Sequence, residues 1–166
     1  MFKLGILTIS DKGSRGERVD ESGKVIRGSM TDNQIVSYEI VPDEMQVIAN
    51  KLAEWVDSGE VDVILTSGGT GLGPRDVTPE ATLSVVDKIA PGFVERMRAK
   101  TMEVTPFAML SRAVAGVRKR CLIINLPGSP KAVRECLEVI LPTISHAVGI
   151  MKGEITEHKT PDVTGD

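Results

Sequence analysis

The sequence is poor in the residues on which most catalytic and metal-binding sites depend. Its 166 residues include two cysteines, Cys121 and Cys136, and two histidines, His146 and His158. Neither cysteine stands at metal-ligand spacing from another cysteine or a histidine, so we expect no structural zinc site. Cys121 opens an apolar run and is expected to be a small core residue. Such sparse cysteine usage fits a reducing cytoplasm.

Long apolar runs and an excess of positive charge are also missing. No segment approaches the roughly 18 consecutive apolar residues that a membrane-spanning helix needs. The formal net charge of −3 is too small and of the wrong sign for a protein that binds nucleic acid. The apolar segment Met1–Ser10 has no basic leader and no small-residue cleavage site, so we expect a first strand there rather than a signal peptide. These absences predict a cytoplasmic protein with neither membrane nor nucleic-acid partners.

Length and composition are those of one globular domain. Apolar residues make up 41% of the chain and charged residues 26%, which is enough for one hydrophobic core. Strand-like runs alternate with helical patterns, and this order predicts a mainly parallel sheet covered by helices on both faces. We therefore predict a single α/β domain, a three-layer αβα sandwich, over residues 1–153, followed by a polar tail over residues 154–166.

Five strands and several helices are predicted from the apolar periodicity. The strands are Leu4–Ile9, Gln34–Val41, Val61–Thr66, Ala113–Val117 and Cys121–Leu126. The helices are Ser22–Met30, one from Met45, a pattern from Thr78 to Met102 that breaks near Pro91-Gly92, and one from Ser129-Pro130. Residues 11–18 are polar and predict a mobile loop.

Local signals mark where three of these helices begin. Asp43 followed three residues later by Gln46 has the pattern of a capping box. Thr78-Pro79 and Ser129-Pro130 each combine an N-cap residue with a proline at the first helical position. Pro142 is expected to kink or divide the last helix, because proline lacks the amide hydrogen that the helix needs.

The strongest functional signal is the glycine-rich segment 67–74, which joins the third strand to the next helix. Without a Cβ, glycine lets backbone N–H groups approach an anion, and the start of a helix adds a favourable dipole. Gly68 and Gly73 have the spacing of a P-loop, but Pro74 stands where its lysine should be. A dinucleotide fingerprint starting at Gly69 also fails at Pro74. The segment therefore predicts a phosphate-binding loop, and a glycine-rich turn without a ligand is the alternative.

Two aspartates follow different predicted strands. Asp43 and Asp76 are 33 residues apart and would lie at the same edge of a parallel sheet. Two carboxylates there suit Mg²⁺, which prefers oxygen ligands and substrate phosphates. The alternative reading makes Asp43 a helix cap and Asp76 a turn residue before Thr78.

Two further strand ends carry polar side chains. Asn125–Pro130 repeats the order strand, turn and helix start, with Ser129 as either a ligand-binding residue or a plain N-cap. Ser10-Asp11 follows the first strand. Three arginines are candidates to neutralise phosphate, although isolated arginines are usually solvated. These are Arg75, Arg112 and Arg118.

Several separated motifs in a fixed order carry a family resemblance. They are Ile64–Gly71, Arg75–Thr82, Thr105–Arg112, Ala115–Arg118 and Asn125–Pro130. Together they resemble the MogA/MoaB family of molybdenum cofactor biosynthesis proteins, and the likeness extends from the first strand to Gly153. Within that family the chain is most similar to the members that adenylylate molybdopterin as free-standing domains.

The resemblance implies a reaction and an assembly. The terminal phosphate of molybdopterin attacks the α-phosphorus of ATP in the presence of Mg²⁺, giving adenylylated molybdopterin and pyrophosphate. A phosphate nucleophile is already ionised at neutral pH, so the scarcity of histidine and cysteine is consistent with this chemistry. A homotrimer and a hand-off to a molybdenum-insertion protein are implied as well. A non-catalytic pterin-binding relative or carrier is the alternative.

The resemblance also assigns roles to residues. Asp43 and Asp76 correspond to two aspartates that are essential in the family, which makes them the expected catalytic and Mg²⁺-binding residues. Pterin-phosphate contacts map to the Gly68–Gly71 loop and to Thr101, where the relatives carry serine. Nucleotide contacts map to Ser10 and Asp11. The full set of expected substrate-binding residues is Ser67, Gly68, Gly69, Thr70, Gly71, Thr78, Thr101, Asn125, Pro127, Gly128 and Ser129.

Overall fold

Strands and helices alternate along the chain in a computed structural model that describes residues 1–155. The strands are β1 (Lys3–Ile9), β2 (Gln34–Val41), β3 (Val63–Ser67), β4 (Lys88–Ile89), β5 (Ala115–Arg118) and β6 (Cys121–Leu126). The helices are α1 (Asp11–Ser14), α2 (Glu21–Ser29), α3 (Met45–Asp57), α4 (Thr78–Leu83), α5 (Pro91–Met102) and α6 (Pro130–Lys152). A 3-10 helix covers Pro106–Leu110.

The six strands form one mixed sheet in the order β2-β1-β3-β6-β5-β4. The first four are parallel, whereas β5 pairs antiparallel with β6 and β4 pairs antiparallel with β5. The chain passes from β1 outward to β2 and then returns across β1 to β3. This reversal opens a crevice at the carboxyl ends of β1 and β3, where ligands bind in open α/β sheets.

Alternating side chains of the central strands fill two separate apolar cores. Leu4 and Ile6 of β1 pack with α2, α5 and α6, whereas Leu7 and Ile9 of the same strand pack with α3 and α4. The sheet is therefore covered on both faces, which confirms the predicted α/β domain with its mainly parallel sheet. The predicted tail, residues 154–166, falls almost entirely outside the described residues.

Three element predictions differ from the structure. A two-residue edge strand, β4, interrupts the helical pattern between α4 and α5. Part of the expected mobile loop is the short helix α1, because the Ser10 hydroxyl accepts a hydrogen bond from the Gly13 amide at 3.0 Å and caps it. Pro142 does not divide α6, which is continuous over Pro130–Lys152. Pro142 is exposed, and the buried face of α6 packs against the sheet on either side of it.

Two of the three helix-start predictions are wrong. Glu44, rather than Asp43, is the N-cap of α3, and no side chain caps that helix. Val77, rather than Thr78, is the N-cap of α4. The third prediction is confirmed, since the Ser129 hydroxyl accepts a hydrogen bond from the amide of Ala132 at 3.2 Å.

No helix within residues 1–155 combines the length and the apolar character required to cross a bilayer. The longest, α6, is amphipathic: its buried face includes Val133, Leu137, Ile140 and Ile144, and its other face carries charged residues. Its length thus serves packing along the sheet.

A buried amide links the sheet to α4. The Asn125 side chain on β6 donates to the Thr66 hydroxyl at 3.0 Å and to the Thr82 hydroxyl at 2.8 Å, and it accepts from the Val114 amide at 3.1 Å. Asn125, Thr66 and Thr82 are all fully buried. A buried polar group without a partner costs free energy, so these bonds fix the position of α4 relative to β3 and β6.

We expect Asn125→Ala to lower the free energy of unfolding by about 1–3 kcal/mol, because it leaves buried polar groups without partners. Urea unfolding followed by circular dichroism measures this change. Asn50→Ala is the matched control, since Asn50 is exposed on α3 and should change the free energy by less than about 0.5 kcal/mol. Equal effects of the two substitutions would contradict a role for Asn125 in holding α4.

Candidate active site

Three loops meet at the carboxyl edge of the sheet, after β1, β3 and β6. The Gly68 amide donates to the Leu126 carbonyl at 3.2 Å, and the Ser67 hydroxyl donates to the Pro127 carbonyl at 2.9 Å. From α2, the Ser22 hydroxyl donates to the carbonyl of Gly128 at 2.7 Å. These contacts hold the loop after β6 directly against the glycine-rich loop after β3.

The first two glycines of the loop adopt backbone conformations that other residues rarely take. Gly68 has a φ of 103° and Gly69 a φ of 65°. A Cβ at Gly68 would overlap the carbonyl oxygen of Ile9, and one at Gly69 would overlap the hydroxyl of Thr78. Thr78 fixes the turn, because its hydroxyl donates to the Gly68 carbonyl at 2.9 Å and its amide donates to the Gly69 carbonyl at 3.1 Å.

This turn leaves a row of amides available. Within residues 1–155, the backbone N–H groups of Gly69, Thr70 and Gly71 donate to no acceptor. Successive amides without partners, followed closely by the start of a helix, form a binding site for an anion such as phosphate. The structure therefore supports the reading of this segment as a phosphate-binding loop.

Two cavities open on either side of the glycine-rich loop. One, of about 420 Å³, is the apolar cavity, formed by α5, the 3-10 helix and the start of α6. The other, of about 440 Å³, is the polar cavity, formed by the loop after β1, the start of α2 and the Gly68 turn. Gly69 and Gly128 line both cavities, so the two spaces adjoin at the glycine-rich loop.

Most expected site residues line one of these cavities. Gly69, Thr70, Gly71, Asp76, Thr101, Pro127 and Gly128 line the apolar cavity. Ser10, Asp43, Ser67, Gly68, Gly69, Gly128 and Ser129 line the polar cavity. Three expected residues line neither, namely Asp11, Thr78 and Asn125. The side chains of Thr78 and Asn125 are buried and make internal hydrogen bonds.

Asp43 and Asp11 hold each other through reciprocal hydrogen bonds. The Asp11 amide donates to Asp43 Oδ2 at 2.8 Å, and the Asp43 amide donates to Asp11 Oδ1 at 3.0 Å. Arg75 donates to both oxygens of the Asp11 carboxylate, at 3.1 and 2.8 Å. The Arg75 guanidinium holds the pKa of Asp11 below its usual value. Asp11 is thereby engaged within the protein.

Asp43 lacks such a cationic partner. Burial raises the pKa of Asp43 above its usual value, and the negative charges of Asp11 and Asp76 raise it further, against the opposing effects of the Asp11 amide and the positive charge of Arg75. Asp43 Oδ1 accepts no hydrogen bond within the described residues and lies toward Gly69. The Asp43 carboxylate is therefore held close to the loop where an anion would bind. A cation between the carboxylate and that anion would stabilise both charges.

Asp76 belongs to the glycine-rich loop itself. Its Oδ2 accepts from the Gly73 amide at 2.8 Å, and its Oδ1 has no partner among residues 1–155. No group of three or more histidine, cysteine or acidic side chains in that range is arranged to hold a metal ion. Mg²⁺ does not require one, because it is commonly bound by one or two carboxylates together with substrate phosphates and water. Asp43 and Asp76 each offer one available oxygen and fit that mode.

The structure adds residues that sequence reasoning did not single out. Arg98 of α5 and Glu135 of α6 bring opposite charges to the wall of the apolar cavity, and exposed Phe107 of the 3-10 helix borders it. Nothing in the local sequence marks them, because they lie on helices whose orientation only the packing defines. The three arginines singled out from the sequence have different partners: Arg75 pairs with Asp11, Arg112 contacts the glycine-rich loop, and Arg118 pairs with Asp57.

An open α/β sheet with a glycine-rich loop and two carboxylates near its switch point is typical of proteins that bind phosphorylated ligands. Residues 5–146 match the family model described as "Probable molybdopterin binding domain". The chain belongs to this family, and the MogA/MoaB resemblance is thereby confirmed.

Named relatives are similar over most of the chain. It is 44% identical to a molybdopterin adenylyltransferase of Helicobacter pylori in an alignment of 154 residues that covers 90% of this chain and 88% of the relative. The molybdopterin biosynthesis enzyme MoaB of Thermus thermophilus has a similar structure, with 52% identity and a TM-score of 0.87. The match covers 92% of this chain and 98% of that enzyme. The tungsten cofactor synthesizing protein MoaB of Pyrococcus furiosus is 39% identical and has a TM-score of 0.82. That match covers 92% of this chain and 96% of the Pyrococcus protein.

We expect Asp43→Asn to raise the melting temperature at pH 7. The folded-state pKa of Asp43 lies above its ordinary value of 3.8, so the ionised carboxylate destabilises the fold at neutral pH. This penalty falls as the pH drops through the raised pKa and is gone below 3.8. The variant and the wild type should therefore converge on acidification.

Calorimetry at a series of pH values from about 7 to about 3.5 measures the difference in melting temperature between the variant and the wild type, over a range that includes both the ordinary and the raised pKa. Asp32→Asn, which changes an exposed aspartate after α2, is the matched control and should leave the melting temperature unchanged. A lower melting temperature for Asp43→Asn at pH 7 would contradict the electrostatic strain assigned to Asp43.

Proposed function

We propose that this protein is a molybdopterin adenylyltransferase. It transfers AMP from Mg-ATP to the terminal phosphate of molybdopterin, and pyrophosphate leaves. A phosphate oxygen of the pterin forms the new bond to the α-phosphorus of ATP, while the bond from that phosphorus to the oxygen bridging to the β-phosphate breaks. No proton has to be removed from the nucleophile, because the phosphate is already ionised at neutral pH.

The observation that carries this proposal is the junction of the two cavities at Gly69 and Gly128. A transfer between two phosphorylated substrates needs two binding spaces whose phosphate ends meet at one point. The amide of Gly69 lies at that point and those of Thr70 and Gly71 follow it on the side of the apolar cavity, and none of the three has an acceptor within residues 1–155. Holding two reacting groups in contact replaces a bimolecular encounter by an intramolecular step, which accounts for much of the catalysis in phosphoryl-type transfers.

We assign the pterin to the apolar cavity and the nucleotide to the polar cavity. Flat heteroaromatic rings bind in apolar clefts with a few polar anchors. The walls of the apolar cavity are largely aliphatic and aromatic, with Asp76, Arg98 and Glu135 as charged groups and Thr101 on the side of α5. Ser10 and Arg18, at the polar cavity, suit the hydroxyl and phosphate groups of a nucleotide.

The two aspartates lie on opposite sides of the glycine-rich loop. Asp76 lies on the pterin side of the loop and Asp43 on the nucleotide side, each with one available oxygen. We infer that they hold Mg²⁺ together with the phosphates of ATP. When bound, the ion supplies positive charge that stabilises the leaving pyrophosphate. The protein contributes the alignment and the amide donors.

Assembly and location remain part of the proposal. The homotrimer, the hand-off of product to a molybdenum-insertion protein and the cytoplasmic location come from the family resemblance.

We expect Asp76→Asn to reduce kcat by at least about 100-fold, because it removes an electrostatic contact at the reacting phosphates. Purified protein is incubated with metal-free molybdopterin and Mg-ATP, and mass analysis detects adenylylated molybdopterin alongside pyrophosphate release. Asp32→Asn controls for the loss of a carboxylate elsewhere and should keep full activity. Wild-type protein that binds pterin but forms no product would identify a carrier instead of an enzyme.

We expect Asp43→Asn to raise the Mg²⁺ concentration needed for half-maximal activity, while molybdopterin binding stays unchanged. The reason is that Asp43 lines only the polar cavity. Initial rates over a Mg²⁺ titration measure the first quantity and fluorescence titration the second. An unchanged Mg²⁺ dependence would remove Asp43 from the metal site.

A further inference from the structure

Arg112 connects the wall of the apolar cavity to the glycine-rich loop. It stands between the 3-10 helix and β5, and its amide donates to the Thr70 carbonyl at 2.9 Å. Its guanidinium donates to the Gly71 carbonyl at 2.8 Å and to the Asp76 carbonyl at 2.6 Å. One planar group therefore bonds both ends of the segment Gly71–Asp76.

Glu80 completes this arrangement from the first turn of α4. Its Oε1 accepts from Arg112 Nη1, and the hydrogen bond from Arg112 holds the pKa of Glu80 below its usual value. Its Oε2 is buried and has no hydrogen-bond partner among residues 1–155. The lowered pKa means that the ionised form of Glu80 is stabilised at this position, and the carboxylate in turn neutralises and orients the guanidinium of Arg112.

The bonds of Arg112 restrain Asp76. Its carbonyl is held by Arg112 and its Oδ2 by the Gly73 amide, which leaves Oδ1 as the available oxygen at the apolar cavity. Arg112 itself lines neither cavity. Three of its donors are already engaged by the protein, so it acts through Asp76 and does not bind a substrate phosphate directly.

We propose that Arg112, oriented by Glu80, is a positioning residue that fixes the Asp76 carboxylate for catalysis. The flat fork of a guanidinium bonds three acceptors at set angles, whereas the ammonium group of lysine is a single point charge. Lysine at this position keeps the charge beside Glu80 but cannot hold Gly71 and Asp76 together. The expected effect on kcat rests on the proposed function, whereas the expected effect on the position of the Asp76 carboxylate does not.

The test compares Arg112→Lys with Arg118→Lys in the full-length protein. Arg118 is a matched control, because its guanidinium also pairs with a carboxylate, that of Asp57, and a carbonyl, that of Val85, but away from both cavities. We expect Arg112→Lys to lower kcat on the order of 10- to 100-fold with little change in the KM values for ATP and molybdopterin. Arg118→Lys should keep the wild-type kcat, and Glu80→Gln should lower kcat less than Arg112→Lys does.

A second measurement needs no turnover. Amide hydrogen exchange by NMR reports the bond between the Gly73 amide and Asp76 Oδ2. Arg112→Lys should lose protection at Gly73 and keep it at Gly68, whose amide is bonded to Leu126. Wild-type protection at Gly73, or a kcat equal to that of an active wild type, overturns the proposal for Arg112. An inactive wild type with the expected loss at Gly73 overturns the proposed function and keeps Arg112 as the residue that positions Asp76.

Discussion

The absence of a side chain at Gly68 is the constraint on which the site depends. A Cβ there would overlap the carbonyl oxygen of Ile9, and the backbone of Gly68 has a φ of 103°. The loops after β1, β3 and β6 can therefore meet only because this position is glycine. Their meeting creates both cavities and the surface that the cavities share. The fold brings the three strand ends to one edge, and Gly68 lets the loops close on one another.

Negative charge is concentrated at this junction without full compensation. Arg75 neutralises Asp11 and Arg112 neutralises Glu80, but Asp43 and Asp76 each keep an oxygen without a partner within residues 1–155. Burial of Asp43 beside other carboxylates costs stability, as the raised pKa of its carboxyl group indicates. Groups held at such a cost often belong to functional sites. A divalent cation shared with substrate phosphates would balance this charge.

The amides and the carboxylates give the two sides of the loop different tasks. Amides at Gly69, Thr70 and Gly71 attract phosphate, whereas the carboxylates repel it unless a cation lies between them. Under the proposed function, an arrangement of this kind would favour phosphate groups that arrive with a metal ion. That selectivity is suited to a reaction in which one substrate is Mg-ATP and the other is a phosphorylated pterin.

The sequence alone determined the features that depend on neighbouring residues. Apolar periodicity located most strands and helices, because strand and helix repeats are local properties of the chain. The density of glycine between β3 and α4 predicted the phosphate-binding loop. Glycine adopts positive φ angles and, because it lacks a Cβ, leaves its backbone amide accessible to a ligand. The order of motifs indicated the family. The two-residue strand β4 was missed because its pairing with β5, and not its own sequence, defines it.

The tertiary structure decided which distant groups meet. Asp43 and Gln46 satisfied a capping pattern, yet the Asp43 carboxylate accepts from the amide of Asp11, 32 residues away. Asn125 was expected near the ligand from its place at a strand end, and only the approach of β3 and α4 shows that its amide is bonded to Thr66 and Thr82. Arg112 reached the loop from a segment whose sequence gives no sign of that contact. Local patterns fix backbone conformation, whereas the partners of a polar side chain depend on packing between segments far apart in the chain.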